Sequence, residues 1–246
     1  MKRVRWQIIF ATSLISAAVI VYILQIFIFH RIEDTGFYLF QDLAFVFISV
    51  LLVTLVIDQL LRTRDKREMM SKLNMVIGVF FSEVGTKLLK DFFWFDAHFQ
   101  DMRKRMLISD KWMDRDFTTA RKAIKSYESG MNSRSGDLEH LSNFLFENRN
   151  MMLRLLENPN LLEHEGFTDM LRAVFHLAEE LASRKNLVNL SGEDHDHISK
   201  DIKRAYIMLM LEWLEYNRHL KHEYPYLYSL AVRMNPFDPD AKAEIK

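Results

Sequence analysis

From Trp6 to Phe29 the chain runs 24 residues without a formal charge. From Phe37 to Leu61 it runs another 25, with Asp42 and Asp58 as the only charges, each close to one end. Neither run has the polar stripe of an amphipathic helix. At 1.5 Å per residue the shorter run makes a helix of about 36 Å, enough to cross a hydrocarbon core of roughly 30 Å with some tilt. A helix also satisfies its backbone polar groups internally, which lipid demands. The pattern predicts an N-terminal transmembrane hairpin over residues 1–61, with spans at about 6–29 and 37–61. The first run is longer than a signal-peptide core and no small-residue cleavage site follows Phe29, so it reads as a retained span.

Beyond residue 61 the pattern changes. Met69, Met70, Leu73, Val76, Ile77, Phe80, Phe81, Val84 and Leu88 repeat at intervals of three and four, the signature of one helical face. This helix is read as continuing from the second span. Phe92–Phe95 then places four aromatics in a row, which fits either an interfacial segment or a core anchor. Further helices are expected at about Asp116–Ser129, Asp137–Glu157, Thr168–Lys185 and Asp194–His222, with a short one at Tyr226–Met234. Gly130–Gly136 reads as a loop, Asn158-Pro159 as a stop, and Ser191 with Asp194 as a capping box. No segment alternates with period two, so no sheet is predicted. The fold class is all-α: the membrane hairpin, then a cytoplasmic helical bundle over 62–234, then a disordered tail over 235–246.

Charge refines this picture. Net charge is zero, yet residues 1–67 hold eight Lys/Arg against five Asp/Glu, while the remainder is acidic. Lys2, Arg3 and Arg5 precede the first span, and Arg62, Arg64, Lys66 and Arg67 follow the second. The loop between carries only Arg31, offset by Glu33 and Asp34. The positive-inside rule places both termini in the cytoplasm and makes the chain a multi-pass protein of the inner membrane. No basic face suggests nucleic-acid binding. The chain lacks cysteine, which excludes disulfides and thiolate metal sites.

Candidate functional residues follow from these elements. Thr12, Ser13, Ser16 and Ala17 form small-xxx-small pairs, where a second helix approaches closely. Gln41 and Asp42 are polar positions inside the second run; Asp42 falls about one and a half turns from the loop, which places it at head-group level, while in an oligomer a ring of Asp42 would favour cations at a pore mouth. There is no phosphate-binding glycine loop, no Gly-x-Ser-x-Gly elbow and no paired-cysteine zinc site. His164-Glu165 fails as a zincin motif because Thr168 stands where the second His is needed. His176 and Glu180 share one helix face, and His219, His222 and Glu223 cluster on another. No cofactor is predicted: the duplicated Glu-x-x-His pairs of a di-iron bundle are missing, and His176, Glu180, His219 and His222 stand only as candidate ligands should a divalent metal bind. His195 and His197 fall in an acidic stretch read as a loop or cap.

Three function classes fit. The first is a membrane-anchored, self-associating helical module that senses or scaffolds, without catalysis, with lipid and its own copies as partners and its protein partner unknown. The second is a homo-oligomeric ion-conducting pore with two spans per subunit. The third is a metal-dependent helical-bundle enzyme.

Overall fold

The computed structural model describes residues 16, 19–21, 23, 24, 27, 28 and 32–244. Among these residues every named element is a helix, and the only β-pairing is an isolated bridge between Asp96 and Met131. The fold class is all-α. The chain divides into two compact units, residues 1–66 and 67–246.

In the first unit, the described residues between 16 and 28 are helical, and helix α1 (Ile32–Phe80) begins. Val50, Leu51, Leu52 and Val53 are each more than half exposed. Four consecutive helical residues sweep about 300° around the axis, so apolar surface lies open on every side. Among the described residues no helix is long and apolar enough to cross a membrane. The expected transmembrane hairpin is therefore not found there. Most of Trp6–Phe29 falls outside the described residues, as do the side chains at 39, 40, 44, 47 and 48 within Phe37–Leu61. Of the expected packing residues, Ser16 is helical and exposed, while Thr12, Ser13 and Ala17 lie outside the described residues. Gln41 and Asp42 lie in α1 and are exposed.

The second unit is built on the apolar face read from Met69 onward. Leu73, Ile77 and Phe80 of α1 are buried, followed by a π-helical turn at Phe81–Gly85 and helix α2 (Thr86–Phe93). The aromatic run divides: Phe92 and Phe95 are buried in the core, whereas Trp94 is 76% exposed. Helix α3 (Phe99–Arg105), which the pattern did not announce, places Phe99 in a stack with Phe93 at 3.9 Å. Helix α4 (Asp114–Lys125) buries Phe117, Ala120 and Ile124. Tyr127, expected on the same helix, falls beyond its end and donates its hydroxyl to the Asp96 carboxylate.

The helix expected over Asp137–Glu157 is two helices, α5 (Leu138–Glu147) and α6 (Arg149–Leu156). Asn148 separates them: its side-chain amide donates to the Phe144 carbonyl at 2.8 Å, and its backbone leaves the helical region at φ −93°, ψ 0°. Short polar side chains compete for backbone groups in this way. Helices α7 (Glu165–Ala182) and α8 (Gly192–Glu223) form the central hairpin, the most extensive helix pairing in the unit. Ser191 caps α8, its Oγ accepting the Asp194 N–H at 3.0 Å. Helix α9 (Pro225–Arg233) starts on its proline, whose missing N–H costs nothing at that position.

The tail expected to be disordered is pinned over its first part. Phe237 is buried against Phe93 and Trp213. The Asn235 side-chain amide donates to the Met106 carbonyl at 2.9 Å, and Arg103 Nε donates to the Phe237 carbonyl at 3.0 Å. Periodicity misses this anchor because one aromatic inserted into a crevice has no period.

Candidate metal centre

Helices α7 and α8 each carry a histidine followed four residues later by a carboxylate. His176 and Glu180 stand on α7, His197 and Asp201 on α8. A spacing of four puts both members of a pair on one face, and the hairpin turns the two faces together. His176 Nε2 lies 3.9 Å from Glu180 Oε1 and 3.7 Å from Asp201 Oδ2. His197 Nε2 lies 3.6 Å from Glu180 Oε2 and 3.3 Å from Asp201 Oδ2. Donor atoms of Glu180, His197 and Asp201 all lie within 4.8 Å of one another.

The four residues differ in exposure. Asp201 is buried, while His176 and His197 are about half exposed. Asp201 Oδ2 has no hydrogen-bond donor among the described residues. A buried carboxylate oxygen without a donor carries a desolvation cost, which the imidazoles at 3.3 and 3.7 Å offset only when they are protonated. Each carboxylate also meets an arginine. Arg184 Nη1 donates to Glu180 Oε2 at 2.7 Å and holds that carboxyl below its usual range. The same guanidinium reaches Asp194 Oδ1 at 3.3 Å, tying the start of α8 to the end of α7. Arg204 Nη1 lies 3.5 Å from Asp201 Oδ1, the oxygen turned away from the histidines.

The expected ligand set is thus regrouped. His176 and Glu180 come together, as read from the sequence, but with His197 and Asp201 and not with His219 and His222. Eighteen residues of straight helix separate Asp201 from His219, about 27 Å. His219 turns inward, its ring edge-on to Tyr224, and burial lowers its pKa. His222 Nε2 lies 3.0 Å from Asp114 Oδ1, an exposed contact that Arg218 shares. His197 was passed over because the acidic stretch around it was read as a loop or cap, although it lies in the expected helix, which in the structure begins at Gly192; Asp201, within that same expected helix, was not paired with it. The available signal was the repeated spacing itself, His-x-x-x-Glu followed by His-x-x-x-Asp.

Ser133 and His195 make a second polar contact nearby, Oγ to Nδ1 at 2.8 Å. The Ser133 hydroxyl is buried and donates to the His195 carbonyl, and its N–H is accepted by Ser199 Oγ. This arrangement fastens the 130–136 loop to α8 and presents no accessible nucleophile.

Comparison with known proteins bears on both units. Residues 2–61 match the family described as MJ1433, N-terminal helical domain, and residues 69–233 match that described as Uncharacterized protein MJ1433, C-terminal helical domain. The chain is 44% identical over 234 residues to the uncharacterized protein MJ1433 of Methanocaldococcus jannaschii, an alignment covering 95% of this chain and 94% of that one. No solved structure matches. Matched in both helical domains and along nearly its whole length, the chain belongs to the MJ1433 family.

Proposed function

We propose that this protein is a membrane-anchored, self-associating helical module that senses or scaffolds, with residues 1–61 held in lipid as a two-span hairpin and both termini on the cytoplasmic side of the inner membrane. The carrying observation is the apolar surface open on every side of α1 around Val50–Val53. A helix apolar all round needs either a protein core or a bilayer around it. The sequence supports the second choice: 24 uncharged residues lie upstream, and basic residues cluster at the far end of each run, while the short connection holds only Arg31 beside Glu33 and Asp34. The carboxyl-terminal unit carries its own core and brings histidines and carboxylates of α7 and α8 together.

The test is membrane fractionation of cells producing the full-length chain, with the mass of the detergent-extracted complex measured afterwards. The reading expects the chain in the membrane pellet, retained through alkaline extraction, at a mass of more than one copy. Release into the supernatant sinks the anchor; a one-copy mass sinks the self-association.

A further inference from the structure

We propose that His176, Glu180, His197 and Asp201 bind one divalent transition-metal ion of the zinc class, clamping α7 to α8. This goes beyond lipid anchoring and does not depend on it.

The first argument is metric. Zinc is held tetrahedrally, with nitrogen and oxygen ligands about 2.0–2.2 Å away, so neighbouring donors stand about 3.4 Å apart. The four nitrogen-to-oxygen separations here run from 3.3 to 3.9 Å. Donor atoms of Glu180, His197 and Asp201 already lie within 4.8 Å of one another, and His176, whose Nε2 faces Glu180 Oε1 and Asp201 Oδ2, joins them by a side-chain rotation.

The second argument is the state of Asp201. Its Oδ2 is buried, faces both imidazoles and has no hydrogen-bond donor among the described residues. A metal ion supplies the positive partner that this oxygen lacks. Its other oxygen faces Arg204, and Glu180 is held by Arg184. Ligating carboxylates are oriented by such outer partners.

Donor chemistry selects the ion. Two imidazoles with two carboxylates suit zinc, cobalt or nickel, whereas magnesium and calcium take oxygen ligands. Four protein donors also fill a tetrahedral shell and leave no position for a substrate, so the ion's role is structural or sensory. Metal binding joins the two helices next to the turn that Arg184 ties to Asp194.

The experiment uses the purified full-length chain, stripped with chelator and titrated with Zn2+ and with Co2+. One ion per chain is expected, and Co2+ is expected to show the intense visible absorption of a tetrahedral site. Loss of an outer partner alone weakens metal binding by roughly 10–100-fold, so removing a ligand in His176→Gln or His197→Gln is expected to weaken it by roughly 100-fold or more. Both histidines are about half exposed, so the variants are expected to fold, with helix content checked by circular dichroism. The double variant His219→Gln/His222→Gln is expected to bind as the parent does. Absence of Zn2+ and Co2+ binding in the parent chain overturns the proposal. So does binding that both ligand variants leave unchanged, or competition by equimolar Mg2+.

Discussion

His197 Nε2 lies 3.3 Å from Asp201 Oδ2, one turn further along α8, and the two side chains together face α7. This pairing gives the α7–α8 hairpin half of its polar clamp. If a metal completes the clamp, it binds the folded chain and not the unfolded one. Zn2+ at 100 times its dissociation constant should then raise the unfolding free energy by about 2.7 kcal/mol. Urea denaturation of the parent chain and of His197→Gln, each with and without Zn2+, measures the difference. Equal stabilisation of both proteins contradicts a site at His197.

Glu212 supplies a pH signature elsewhere on α8. Its carboxylate lies against the start of α7, where a side chain on Gly166 would collide with Oε1. Burial, reinforced by the like charge of Glu215 and opposed by Arg121, pushes its pKa up to about 7 from an ordinary 4.5. His164 Nδ1, 3.9 Å from Oε2, accepts the Phe167 N–H and so presents no proton to Glu212. The folded chain therefore keeps a proton that the unfolded chain releases. The stability Glu212 contributes is full below about pH 4.5 and is lost as the pH rises through about 7. Glu212→Gln removes this dependence. Relative to the parent, the variant should gain about 2 kcal/mol between pH 4.5 and 8, a value discounted from the full shift for local relaxation. Urea midpoints across that range would show no such trend if the carboxyl titrates normally.

Phe237→Ala tests the anchored tail. Removing a buried phenylalanine costs about 3–5 kcal/mol, and here it opens a hole beside Phe93 and Trp213. Removal of residues 243–246, which follow the last backbone bond of the segment (Lys242 N–H to the Arg233 carbonyl, 3.1 Å), should change stability by less than about 0.5 kcal/mol. Thermal melts of the two variants measure the anchor's contribution; matching melts would mean that Phe237 is dispensable.

Leu52→Arg tests the solvent around α1. A charge at the centre of a lipid-embedded helix costs about 2.5–3.5 kcal/mol of insertion free energy. The variant is expected to shift from the membrane pellet toward the soluble or degraded fraction. The same change on a helix bathed in water would raise solubility and leave distribution and stability as they were.

The amino-acid pattern by itself determined the class of the fold and most helix positions. Leu73, Ile77 and Phe80 could be picked out as core because helical burial is periodic, and period is a local property. Ser191 marked a helix start for a similar reason, since a cap acts within one turn. Interruptions by single side chains were less visible: Asn148 splits a helix through one hydrogen bond to Phe144, and its residue type alone does not reveal that choice. The candidate site was half legible. His176 and Glu180 share a face by spacing, and so do His197 and Asp201, but spacing within a helix cannot say which helix lies opposite. Only the α7–α8 hairpin decided that His197 and Asp201, and not His219 and His222, complete the set. Phe237 belongs to the same category. Its burial depends on a crevice formed by Trp213 of α8 and by Phe93, more than 100 positions away, and no local pattern encodes a contact of that separation.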